Sequence, residues 1–188
     1  MQYYKLMLDG EDCDDYIFAE PCTDVEDQYM FCKGKVVEEW KPVQFVCDMK
    51  KGDVATENLG NSNGWEIFAE KALKQFGDII EGDIQLLPVK VVDKETEQEV
   101  EKYFIMNVLP FLDALDLENS VYEYFDIEGR REKWLSVIKY GLKEKKLGEH
   151  NIFRLRESPM ALFVSEKFKN IAENNKMLGF QFLRVKTS

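Results

Sequence analysis

Trp65, Phe68, Ala69, Ala72, Leu73 and Phe76 recur at i, i+3, i+4, i+7, i+8 and i+11, and the alternating stretch "DIQLLPVKVV" (83–92) follows at once. The spacing predicts an amphipathic helix, capped by Ser62 or Asn63 and closed by Gly77, and then a strand. A helix with one apolar stripe has to lie on another layer, so this chain has to build a sheet to carry it. "YFIMNVL" (103–109) is apolar on successive residues and stops at Pro110, the pattern of a strand buried on both faces. The helix-then-strand phrase returns in "ALFVSEKFKNIAENNKMLGFQFLRVK" (161–186). At an offset of 95 residues Phe68 matches Phe163, Leu73 matches Phe168, Lys74 matches Lys169 and Phe76 matches Ile171. After a one-residue slip, Gln85, Leu87, Val89 and Lys90 recur identically as Gln181, Leu183, Val185 and Lys186. Ser165 is placed to cap the second helix, from Glu166 to near Asn174 and Asn175. Duplication and repeated packing physics account equally well for the likeness. The expected fold class is α+β: a mixed sheet with a few helices packed on it and two candidate helix–strand units, 65–90 and 160–186.

The rest of the chain reads as one domain over 1–188, with a β-rich N-terminal part, 1–60, and a remainder, 61–188. "QYYKLML" (2–8) is an opening strand, and short strands are expected near 29–32 and 43–47. "MKKGDVATENLGNSNG" (49–64) has the composition of a loop and is the expected joint between the two parts. "EKWLSVIKYGLKEKKLGEH" (132–150) fits a helix by its leucine spacing and a strand by its β-branched residues, whereas "NIFRLR" (151–156) is a strand.

Charge narrows the partners. The net charge is −11, made of −8 over residues 1–60, −11 over 61–129 and +8 over 130–188. Such a field repels nucleic acid over most of the molecule and speeds encounter with basic partners, although acidity also serves solubility alone. The basic stretches "RREK" and "KEKK" carry no RNA-binding signature. No apolar run reaches the roughly 18 residues of a membrane span, and "MQYYKLMLDGEDCDD" has none of the parts of a secretion signal. A cytoplasmic protein with reduced thiols is expected. Cys13, Cys22, Cys32 and Cys47 form no C-x-x-C pair, and His150 is far from them in sequence, so no zinc site is expected.

Catalytic signatures are absent: there is no phosphate-binding loop, no dinucleotide fingerprint, no nucleophile elbow and no H-E-x-x-H. His150, in "LGEHNIF", reads as a loop-capping residue. Asp113, Asp116 and Glu118 in "LDALDLE" are the one cluster of acids inside an apolar stretch. On a helix Asp113 and Asp116 would share a face, which a metal-dependent hydrolase could use for Mg²⁺. Acids that follow a strand more commonly accept backbone hydrogen bonds in turns, and that role is the expectation. No metal and no cofactor is expected.

"YFIMNVLPFLDALDLENSVY" (103–122), "HNIFRL" (150–155), "LFVSEKFKNIAENNKMLGFQFLRV" (162–185) and "LLPVK" (86–90) together resemble the bacterial immunity proteins of polymorphic-toxin and contact-dependent systems. The resemblance covers about the last 120 residues and, before residue 60, only the opening strand. It implies a non-enzymatic cytoplasmic protein that binds a cognate toxin domain and neutralises it by occlusion. Asn107, Asp113, Asp116, Ser120, Phe153, Arg154, Ser165 and Gly179 match the family pattern; each either holds the fold or meets the toxin. Candidate partner-binding residues are Asp12, Asp14 and Asp15 in the first acidic loop, with Asp113, Asp116, Glu118, Tyr122, Glu123 and Tyr124 in the acidic, aromatic segment that runs to Glu128. The rival readings are the metal-dependent hydrolase and an acidic adaptor with a non-toxin protein partner.

Overall fold

Two separate β-structures share one helical layer. The computed structural model describes residues 1–9, 14–22, 27–126 and 133–188. In chain order, β1 (Tyr3–Leu8), β2 (Phe18–Pro21), β3 (Gln44–Cys47) and β4 (Asn58–Asn61) precede β5 (Ile67–Ala69), which runs straight into α1 (Glu70–Ile80). The long hairpin β6 (Ile84–Asp93) and β7 (Glu99–Val108) follows, then β8 (Phe111–Leu112), β9 (Val121–Phe125), β10 (Trp134–Lys139) and β11 (Gly141–Leu142). After β12 (Ile152–Leu155), β13 (Leu162–Ser165) runs straight into α2 (Glu166–Asn174), before β14 (Phe180–Arg184) and β15 (Lys186–Thr187).

Six strands close a barrel in the order β2-β3-β6-β7-β5-β4, and five form a mixed sheet in the order β14-β1-β13-β12-β8. Alternate residues of all six barrel strands point inward, among them Ala19, Phe45, Leu59, Ile67, Val89 and Ile105, as closure of a small barrel requires. Trp65 completes this core, edge-on to Phe31 at 4.9 Å and to Phe45 at 5.9 Å between ring centroids. The other face of β5 and β7 carries Phe68, Met106 and Val108 into a second core with Leu6, Ile152, Leu162 and Val164 of the sheet. Both helices lie in that layer, where Phe76 stacks on Phe168 with centroids 3.9 Å apart and rings 7° from parallel. The opposite face of the sheet, with Tyr3, Phe153 and Phe163, is covered by Ala114, Leu115, Tyr140, Leu142 and Leu147.

The α+β class is as expected, and the helix boundary is corrected. Trp65, Phe68 and Ala69 precede α1: Ile67 and Ala69 face the barrel interior while Phe68 faces the helices. Period two wins because β5 has to pair with β4 on one side and β7 on the other to close the barrel. Ser62 and Asn63 therefore do not cap α1; Ala69 holds that position without a side-chain bond, and Gly77 lies inside the helix. Ser165 does cap α2, its Oγ accepting from the Phe168 N–H at 3.3 Å. Since Glu70 and Glu166 each open a helix, the two units align at one offset of 96 throughout, and the slip disappears. The strand expected near 29–32 is a 3₁₀ turn, Met30–Cys32, that buries Phe31. The supposed joint at 49–64 contains β4, buried at all of its residues and paired with β2 and β5. The ambiguous stretch 132–150 forms strands in β10 and β11 and then a 3₁₀ turn at Glu144–Lys146, with no α-helix among its described residues.

Cross-links between the two β-structures explain several family-pattern residues. Arg154, 2% exposed, points from the sheet toward the barrel, with Nη2 3.2 Å from Glu66 Oε1 and Nη1 donating to the Met160 carbonyl at 3.0 Å. Burial pushes the Glu66 carboxyl up, against the pull of the guanidinium. Gly179 has φ +84°, and an added Cβ would sit 2.2 Å from the Asn58 carbonyl oxygen. Its own carbonyl accepts from Asn58 Nδ2 at 2.8 Å, tying β4 to the approach of β14. Asn107, fully buried, donates to the Lys35 carbonyl at 2.8 Å and to Gln85 Oε1 at 3.0 Å, holding loop 35–37 on the barrel. Removing one member of a buried ion pair strands the other, so Arg154→Ala is expected to cost about 3–5 kcal/mol in urea unfolding. The paired variant Glu66→Leu/Arg154→Met is expected to recover most of that loss; an equal loss in both would contradict the assignment.

Candidate functional site

Most large apolar residues of the cover over the sheet are buried, but the arm formed by β9 and β10 is different. These strands pair antiparallel with each other and, among the described residues, with no other strand. They are rich in aromatic and β-branched residues, which suit extended chain, yet Val121 is 49% exposed, Phe125 51% and Trp134 43%. The register sets Trp134 opposite Phe125, Ser136 opposite Glu123, and Val137 opposite Tyr122. Leu135 and Val137 lean on the core beneath the cover, and Tyr122 meets Tyr124 edge-on at 5.5 Å. Val121, Glu123, Phe125 and Trp134 thereby share the other face, which looks outward. A bulge between Val137 and Lys139 turns Ile138 out to 54% exposure.

The base of the arm is held by Asp116, which is 6% exposed. Its Oδ1 accepts from the Glu118 N–H at 3.1 Å, and its Oδ2 accepts from Asn119 Nδ2 at 2.7 Å and Ser188 Oγ at 2.6 Å. Ser120 Oγ donates to the Asp116 carbonyl at 2.6 Å and accepts from the Gly141 N–H at 2.8 Å. The Ser188 hydroxyl, with Asn119, holds the Asp116 carboxyl below the usual carboxylate range. Asp113 is exposed and paired with Lys146 Nζ at 3.1 Å, which lowers its pKa, while burial pushes Glu157 beside it up.

Asp113, Asp116 and Glu118 therefore do not share a helix face: Asp116 caps a 3₁₀ turn, Leu117–Asn119, and its carboxylate is fully engaged. The convergence that a hydrolytic metal site needs is not formed by these three, and no group of three His, Cys, Asp or Glu among the described residues is arranged to hold a metal. His150 Nδ1 lies 2.8 Å from Asp83 Oδ1, a loop-tethering pair.

The sequence matches the Immunity protein family (Imm11) over residues 6–187. The chain belongs to that family. No curated protein matches it significantly. The family match also covers residues 6–60, of which the sequence motifs matched only the opening strand. Membership puts the chain among immunity proteins, a class that neutralises toxins.

In this family member the candidate partner-binding residues fall into two groups. Glu118, Tyr122, Glu123 and Tyr124 sit on or beside the arm, with Asp113 at its base. Asp14 and Asp15 are exposed ahead of β2, on the barrel side of the sheet; Asp12 and Glu128 lie outside the described residues. Asp116 is buried with both carboxylate oxygens hydrogen-bonded, and it latches the base of the arm. Sequence reasoning missed Trp134 and Ile138, because "WLSVIK" fits two periodicities; pairing with "VYEYF" in a two-strand arm was the signal available. Asp116, with its lowered pKa, contributes stability that is full above the unfolded value near 4 and is lost as pH falls through the folded value. Asp116→Asn is therefore expected to lower the thermal midpoint at pH 7, with the gap to wild type closing below about pH 4.

Proposed function

We propose that the protein binds a cognate bacterial toxin domain stoichiometrically in the cytoplasm and neutralises it by occlusion, without turning it over. Membership of an immunity family supports the partner class. The single structural observation that carries the binding mode is the exposed outward face of the arm, Val121, Phe125 and Trp134, on strands that pair with no others among the described residues. Exposed aromatics of this kind act as interface anchors once a partner seals them from water. Glu123 supplies a charged contact on the same face as those anchors, Tyr122 and Tyr124 add contacts from the arm's other face, and Glu118 and Asp113 extend the surface toward its base. Asp14 and Asp15 lie across the sheet and would form a second contact area only with a partner that wraps the molecule.

The test is co-expression with the C-terminal domain of the protein encoded by the upstream neighbouring gene, as the candidate toxin. Cells survive and the two proteins co-purify if the reading holds; death of the cells, or survival with no complex, contradicts it. Phe125→Asp/Trp134→Asp, with an unchanged circular dichroism spectrum, is expected to weaken the complex about a hundredfold and abolish protection.

A further inference from the structure

Consecutive residues 133–137 of β10 and its approach, and consecutive residues 156–161 on the far wall, line one slot of about 600 Å³. Side chains of a strand alternate between faces, so a hollow bordered by every successive residue runs along the strand's edge rather than across a face. That edge is open: among the described residues β10 pairs with β9 alone. The far wall has its own hydrogen bonds, with Ser158 N–H donating to Leu155 and Ala161 N–H to Ser158, at 3.3 and 3.1 Å. The slot is therefore a gap beside an unpaired strand, floored by Tyr140 and Lys5.

Its charge is the reverse of the molecule's. Lys5, Lys133 and Arg156 line it with one acid, Glu157, whose carboxyl burial pushes toward the neutral form, and Lys133 also pairs with Asp126 at 3.6 Å, which leaves Lys5 and Arg156 as its main cations. Lys5 lies over the Tyr140 ring at 5.4 Å and Arg156 over Phe111 at 5.8 Å, so both cations are held at the walls. Trp134 and Met160, 43% and 54% exposed, supply apolar surface at the rim. Open backbone donors and acceptors, fixed cations and apolar rim residues are the parts of a strand-addition site for an extended segment with acidic and apolar side chains.

We infer that the partner toxin domain inserts an extended, acidic segment into the slot and adds a strand to the free edge of β10. This inference rests on the reading that the partner is a toxin domain, and it names the contact. β10 is six residues long, about 20 Å of strand, enough for three or four cross-strand hydrogen bonds.

Hydrogen exchange of the purified complex of this chain with the toxin domain identified by co-expression tests it. Those amides of residues 134–137 that point away from β9 are expected to slow at least tenfold on binding, and Lys5→Glu/Arg156→Glu to weaken the complex by about tenfold or more. A complex that forms with unchanged exchange at 134–137 and unaffected by the charge reversal overturns this inference and leaves the proposed function standing. Failure to form any complex overturns both. Slowed exchange at 134–137 that appears with rising concentration of this chain alone assigns the edge to a second copy and overturns the inference.

Discussion

Phe76 lying flat on Phe168, 3.9 Å between centroids, is the contact on which the architecture turns. The barrel has an interior core of its own, and the sheet has a cover of its own, but each also presents an apolar face that neither can bury alone. The two helices fill that shared layer, and Phe68 from the barrel and Phe180 from the sheet close on the stack, with their centroids 5.1 Å apart. Polar cross-links run beside it, from Arg154 to Glu66 and from Asn58 to Gly179. Apolar burial supplies the driving force there, and the directional bonds fix how the two halves meet.

That arrangement explains what was legible in the sequence. Strands with a clean alternation or a continuous apolar run, such as β6 and β7, are local statements, and they lie where the pattern puts them. The second helix was equally readable, because Ser165 is both its cap and a buried donor to Asn151. The start of the first helix was placed six or seven residues too early, at Ser62 or Asn63 instead of Ala69, since Trp65, Phe68 and Ala69 satisfy a helical stripe as well as a strand alternation. Only closure of the barrel, a long-range demand, decides between them. β4 was invisible for a related reason: "NLGN" has the composition of a loop, and becomes a strand because Gly60 and Asn58 fit where Phe18, Leu8 and Gly179 approach closely.

The candidate site shows the same division. Sequence identified an acidic, aromatic segment, and the structure separates it into residues that build the arm and residues that face out from it. Asp116 and Ser120 are construction, engaged by Ser188, Asn119 and Gly141. Phe125 and Trp134 are display. Family-pattern residues Asn107, Arg154, Ser165 and Gly179 also prove to be framework, so the arm is a surface carried by that framework. The basic character read from the sequence after residue 129 reappears locally in Lys133 and Arg156, which line the slot with Lys5 from the acidic N-terminal part.

The central claim is that this protein acts by occupying its target. Titrating a fixed amount of purified toxin domain with increasing amounts of the protein, while following toxin activity, tests that claim most directly. The account predicts a linear loss of activity that reaches completion at one molecule per toxin and does not deepen with longer incubation. Complete inactivation by a small fraction of an equivalent, progressing with time, would contradict it.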